Sequence, residues 1–305
     1  MATYLLKRFL FAIPVLFIMT ILVFSALHFA GGDPLTALLG PGAPPELRAA
    51  TRARLGLDKP LPVQLFIYIG QIMRGDLGQS IVSKIKVTEL IKEKLPITVE
   101  LGATSFVFAY ILAIPLGVIA AVNRKKFLDW FTMILALMGV SMAGFWLGLM
   151  LMYVFAGTLK WLPPTGSGGI KYLILPALAL GLPRIGYIAR ITRSSILEVL
   201  DQDYVRTARA KGLSERVVVI RHALRNALIP IISLMGLDLG YVIGGSVVIE
   251  SVFARPGIGF MMLKAITTRD FPVLQGCMFV LGFAIILSNI LADIAYIIVD
   301  PRIHH

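Results

Sequence analysis

Residues 97–126 read ITVELGATSFVFAYILAIPLGVIAAVNRKK, an apolar run carrying one charge, Glu100, and closed by the basic turn Arg124-Lys125-Lys126. The hydrocarbon core of a bilayer is about 30 Å thick and takes about 20 helical residues, so a run of this length is predicted to cross a membrane as a helix. Comparable runs fall at about 9–29, 131–156, 173–189, 227–249 and 275–299. The predicted fold class is therefore all-α: a polytopic membrane helical bundle of six transmembrane helices. Composition agrees, since 57% of the 305 residues are hydrophobic and only 15% charged, where soluble domains carry about 25% charged residues. A soluble globule is excluded. The single cysteine, Cys277, lies in an apolar run, so no internal disulfide or thiolate metal site is available.

Orientation follows from lysine and arginine in the short loops. Lys7 and Arg8 precede the first span, Arg124 to Lys126 fill the turn between the second and third, and nine basic residues lie in 184–226. These segments, and with them both termini, are predicted to be cytoplasmic. Segment 30–96 is longer than the loops to which the charge rule applies and is predicted to be external. Within it, Leu65, Ile69, Ile72 and Met73, and then Val87, Leu90, Ile91 and Leu95, form two short amphipathic stretches expected on the membrane surface. A net charge of +12 distributed in this way needs no nucleic-acid partner.

Within the spans, Gly236, Gly240 and Gly244 recur every four residues in span five, and Gly144 and Gly148 in span three. Small residues let helices approach closely in lipid, so these are candidate packing positions. Asp238 points away from the span-five stripe, at 100° per residue. It either lines a polar translocation path or is hydrogen-bonded between helices. Arg184, near the end of the short, proline-bearing fourth run, is expected to snorkel to the cytoplasmic face.

Enzyme chemistry finds no support. There is no His-Glu-x-x-His, no Gly-x-Ser-x-Gly, and His28, His222, His304 and His305 are scattered or terminal. No catalytic residue and no metal site is assigned. A phosphate-binding Gly-x-x-x-x-Gly-Lys-[Ser/Thr] loop is also lacking, Lys211-Gly212 being in the wrong order.

The most informative loop is 201–230, DQDYVRTARAKGLSERVVVIRHALRNALIP. Asp203 is predicted to cap a helix ending at Ala210. Gly212 supplies a left-handed stop, and Ser214 caps a second helix whose stripe Val217, Ile220, Leu224 and Leu228 runs into span five. Such an element suits the passage of force from a cytoplasmic partner into the bundle. Its arginines alone would equally suit attraction to anionic lipid.

Ala208, Gly212, Leu224 and Pro230 fall at the spacing of the cytoplasmic loop of permease subunits in binding-protein-dependent ABC importers, and the chain resembles that family. The stretches 206–212 and 222–230 are similar to the dipeptide, oligopeptide and nickel branch. So are Gly32-Asp33-Pro34, Leu55-Gly56-Leu57-Asp58, Gly75-Asp76-Leu77-Gly78, Pro256-Gly257-Ile258-Gly259 and Arg269-Asp270-Phe271-Pro272. Arg206 stands where the general loop has glutamate, and His222 and Arg225 replace Ile and Pro, so no role of that glutamate is carried over.

The resemblance implies a single transmembrane permease domain over 1–305, with 201–226 as the cytoplasmic coupling loop, in a bacterial or archaeal plasma membrane. It implies a second homologous permease subunit and two cytoplasmic ATPase subunits, which bind the ATP and magnesium, so that this chain holds no cofactor. An external solute-binding protein would rest on 30–96 and 250–272. The expected ATPase contacts are Tyr204, Val205 and Ala208 on the helix begun by Asp203 and Leu213 just after it, with Arg206 and Arg209 steering association. Short peptides are the expected cargo, with nickel or a metal complex as the alternative. A self-contained secondary transporter using Asp238 and Asp293 is the competing class.

Overall fold

The computed structural model describes residues 2–29, 35, 39, 40, 42–54 and 56–299, with side-chain surroundings over 10–25, 35, 39, 40, 42–53 and 56–294. Gly32-Asp33-Pro34, Leu55, His304, His305 and the side chains of Lys7 and Arg8 lie outside these. In lipid each backbone donor has to be bonded within its own segment, and the described chain is accordingly mostly helical, with short turns and loops and, among the described residues, one isolated bridge between Gln79 and Lys86. The helices are α1 (Ala2–Phe29), α2 (Pro45–Arg54), α3 (Leu61–Met73), α4 (Val87–Val122), α5 (Phe127–Ser141), α6 (Gly144–Thr158), α7 (Ile170–Leu200), α8 (Asp203–Ala210), α9 (Glu215–Val252), α10 (Ile258–Thr267) and α11 (Phe271–Val299).

Among the described residues four helices, α4, α7, α9 and α11, are long and apolar enough to cross a membrane, or five spans if the bent pair α5–α6 counts as one. Two predicted spans take a different form. The third is broken: α5 and α6 meet at 103°, with Met142 and Ala143 extended between them. The fourth, a short run in the sequence, is part of a continuous 31-residue helix despite Pro176 and Pro183. The second amphipathic stretch of the external segment is no surface helix but the first turns of α4, with Val87 and Ile91 buried.

The chain divides into two compact units, one of residues 99–255 and 287–305, the other of 2–98 and 256–286. In the first, α7 is central. Its Leu175, Ala179 and Leu180 pack with Leu101 of α4 and Val242, Ile249 and Phe253 of α9, and its Ile185, Ile188 and Ala189 with Ala109, Ala113, Ile231 and Leu234. Glycines set these contacts. A methyl added at Gly117 would lie 2.6 Å from Ala189 O, one at Gly139 3.1 Å from Leu182 O, and one at Gly186 would run into the backbone of Ala136. Both halves of the broken span thereby lie along α7. Gly144 faces Ala179 O at 3.4 Å, the carbonyl that Pro183 leaves without its helical donor, and Gly148 meets Phe253 and Ala179.

The glycine stripe of α9 packs only in part. Gly236 abuts Ala292 of α11, Gly240 is half-buried, and Gly244 is exposed with nothing within 4 Å.

In the second unit, Gly276 of α11 lies against Val87 and Ile91, Gly282 against Met19 of α1, and Phe24 stacks on Tyr68 of α3 with ring centroids 6.2 Å apart.

Candidate functional site

Several places among the described residues bring polar groups together, and the cytoplasmic loop comes first. The predicted helix to Ala210 forms as α8, and Gly212 has φ +77°, the left-handed conformation expected of it. The caps differ in detail: Gln202 occupies the position before α8, leaving Asp203 inside its first turn, and the Ser214 side chain makes no capping bond. Val205 and Ala208 are buried on Val218, with Val199 and Leu200 around them. Of the four expected contact residues, these two therefore seat α8 on its own chain, while Tyr204 and Leu213 are left exposed beside Arg206.

Arg209 grips Glu215 across the Gly212 turn, Nη2 to Oε1 at 2.7 Å and Nε to Oε2 at 3.2 Å, and this hydrogen-bonded carboxylate raises the guanidinium pKa above its ordinary value. Asn226 Nδ2 donates to Tyr204 Oη at 2.7 Å, tying α8 to α9. Of the stripe predicted for the second helix, Leu224 and Leu228 pack partly buried against the core, while its first half is out of phase. Val217 and Ile220 are exposed, and Val218, Val219, Ala223 and Ala227 are buried. The cause is a stretch of wide π-helical turns over Val218–Leu224, whose i→i+5 bonding rotates the face relative to an α-helix.

The second place is Asp238. It is 1% exposed, faces Arg184 in an ion pair, and accepts a hydrogen bond from Tyr110 Oη at 2.7 Å. In this conformation it joins helices α4, α7 and α9 and lines no open path: the space among Tyr110, Arg184, Asp238 and Val242 has no room for a water molecule. The expectation that Arg184 snorkels is corrected. Its side chain, 18% exposed, is turned to Asp238 among α4, α7 and α9. Its guanidinium instead lies 5.0 Å from the Tyr187 ring and 4.3 Å from that of Tyr241. This cluster was overlooked in the sequence, although Arg184/Tyr187 and Asp238/Tyr241, each three residues apart, carried its signal.

The third place is in the second unit. Asp270 is buried and accepts from Ser80 Oγ at 2.5 Å, Ile81 N at 3.0 Å and Val82 N at 3.4 Å. The Gly75-Asp76-Leu77-Gly78 turn precedes it, with both glycines left-handed and Asp76 Oδ1 accepting from Gly78 N. Beside Asp270 opens a cavity of about 300 Å³ lined by Val82, Leu90, Phe260 and Met261 with Lys94 and Lys264. Asp270→Ala strands two buried donors, Ser80 Oγ and Ile81 N, and a half-buried one, Val82 N, and is expected to cost about 1–3 kcal/mol locally. Amide hydrogen exchange at Ile81 and Val82 reads this out; exchange as slow as in the parent would show that the carboxylate does not hold the turn.

Among the described residues, no group of three or more His, Cys, Asp or Glu is placed to hold a metal ion. Glu100 pairs with buried Arg255 at 2.5 Å.

Comparison with known proteins follows this geometry. The family described as binding-protein-dependent transport system inner membrane component matches residues 113–305, and the N-terminal family of such membrane components matches residues 1–102. A protein of Brucella suis biovar 1, provisionally named a peptide transport system permease, is 44% identical over 313 residues covering 100% of both chains. The glutathione transport system permease protein GsiC of Salmonella typhimurium is 42% identical over 305 residues, again 100% of both. Among solved structures, an inward-facing form of the MetNI methionine ABC transporter matches with a TM-score of 0.57 at 17% identity, over 70% of this chain and 97% of that one. At that identity the likeness is one of fold.

Proposed function

We propose, from the premise that this chain belongs to the family of binding-protein-dependent transport system inner membrane components, that the cargo it carries is short peptides. The chain is a multi-pass inner-membrane permease with no ATPase activity of its own, and membership in the family brings ATPase subunits and a solute-binding protein as partners. The observation that carries the peptide reading is end-to-end similarity, above 40% identity, to permeases named for peptides and for glutathione, itself a tripeptide.

In this reading two ATPase subunits hold the ATP and magnesium, and a second homologous permease completes the path. One ATPase takes α8 in a groove through Tyr204, Arg206 and Leu213. Val205 and Ala208 anchor that helix to α9, and Gly212 with the Arg209–Glu215 pair sets its angle. Closure of the ATPases draws α8 inward and α9 with it, exposing Asp238 to the translocation path in alternating access. Gly144, Gly148 and Gly236 keep the helices in close contact. Lys211, Arg216, Arg221 and Arg225 face anionic lipid, both termini are cytoplasmic, and the solute-binding protein docks externally beside Asp270.

The test is reconstitution of the two permeases with the ATPases in liposomes. ATP-dependent uptake of labelled dipeptide, delivered by the binding protein, is expected, with none from this chain alone. Flux without ATP or partners would overturn the reading in favour of secondary transport; uptake of a nickel complex and not of peptide would replace the cargo.

A further inference from the structure

We propose that Arg184 and Asp238 form a terminus-recognising site: Arg184 takes the carboxylate of a zwitterionic peptide and Asp238 its ammonium group, the two residues being paired with each other when the path is empty. The inference deepens the peptide reading and rests on it.

Asp238 and Arg184 sit within long apolar helices, where an ionisable side chain is costly unless it has a partner or a purpose. Structural needs alone do not require them, because a buried ion pair is often replaceable by apolar residues without loss of stability. Nor is the pair self-sufficient. Tyr110 satisfies Asp238 Oδ2, but Asp238 Oδ1 and Arg184 Nε are each buried with no hydrogen-bond partner beyond the ion pair. A guanidinium is a fork that binds a carboxylate with two parallel bonds, so a donor remains for a ligand that this conformation lacks.

The surroundings fit such a ligand. Arg184 lies against Tyr241, which is 50% exposed, so the buried pair is one side chain away from an open face of α9 that also carries exposed Leu237, Gly244 and Val248. The aromatic rings of Tyr187 and Tyr241 hold the guanidinium without neutralising it, leaving it free to change acceptor.

The chemistry then runs as an exchange. Parting of α7 from α9 leaves a cation on one helix and an anion on the other, both stripped of their partner away from water. A short peptide carries the complementary charges at its two ends and restores both. Fully extended, a dipeptide spans about 7 Å, which sets the separation the pair has to reach. Without peptide the two residues close on each other and exclude water, so the empty path seals itself.

The test uses the assembled transporter with its binding protein and three probes: alanyl-alanine, its C-terminal amide and its N-acetyl derivative. The ratio of uptake, free peptide to blocked peptide, is compared between the parent and variants; preference residing in the binding protein is common to both and cancels. In Arg184→Gln/Asp238→Asn, where both charges are removed together to spare the fold, each ratio is expected to fall by about tenfold, the worth of one charge-assisted hydrogen bond. Arg184→Lys keeps a cation but loses the fork, and is expected to lower only the amide ratio. A variant that transports with the parent's ratios overturns the inference. Parent complexes that transport none of the three probes would instead sink the peptide reading itself.

Discussion

Gly212→Pro abolishes uptake while the protein still reaches the membrane and retains its spans. Gly212 has φ +77°, and a proline ring holds φ near −65°, so the substituted chain cannot turn there as the native one does. Its N–H, which bonds Arg209 O at 2.9 Å, is lost as well. Three connections depend on that turn: the seat of Val205 and Ala208 on Val218, the Arg209–Glu215 pair, and the Asn226–Tyr204 bond. All lie outside the apolar spans, so insertion is spared.

The expected measurement is uptake at background level with normal membrane abundance. Gly212→Ala, whose methyl meets nothing within 4 Å, has only left-handed strain to bear, about 1–2 kcal/mol, and is expected to keep measurable transport. Uptake by Gly212→Pro at the parental rate would mean that α8 transmits nothing.

The second large effect is on stability. Asp129, in the first turn of α5, is 5% exposed and receives both Arg193 Nε at 2.6 Å and Nη2 at 2.7 Å from the middle of α7. Arg193→Ala leaves a buried carboxylate with only the Lys125 amide, at 3.0 Å, to solvate it. Breaking one side of such a pair costs about 3–5 kcal/mol, and the retained amide places this variant at about 3 kcal/mol. Thermal denaturation of the solubilised protein measures it. Removing both charges in Asp129→Asn/Arg193→Gln is expected to cost less than Arg193→Ala alone. Equal losses would show that the missing contact, and not the stranded charge, is what matters.

What the sequence revealed and what it hid divide along physical lines. Apolar run length located the crossing helices because the bilayer imposes it, whatever the neighbours. The turn at Gly212 was legible because a left-handed residue is a local requirement. Hydropathy has no direction, so the 103° bend between α5 and α6 was invisible in an unbroken apolar run. The shortness of the fourth run reflected its polar continuation past Arg184, not the length of α7. Arg184 was misplaced because its partner lies 54 positions along the chain, and pairing at that distance belongs to packing. Val217 and Ile220 were assigned to the wrong face because periodicity assumed α geometry where the turns are wider. Close approach by glycine was foreseen on α9 and at Gly144 and Gly148, and it is concentrated around α7, which those two face and where carbonyls such as Ala189 O lie beneath the glycines.

The wide turns at Val218–Leu224 have a mechanical consequence. They lie in one unbroken rod, between the seat of α8 at Val218 and Asp238, which is about 30 Å further on at 1.5 Å per residue. A π turn holds one residue more than the α turn it replaces. Releasing that residue screws everything beyond it through about 100° and advances it by about 1.5 Å. In the proposed coupling, a stroke delivered in the cytosol would have rotation available to it as well as tilt, and a quarter-turn would carry a carboxylate from one neighbour to the next.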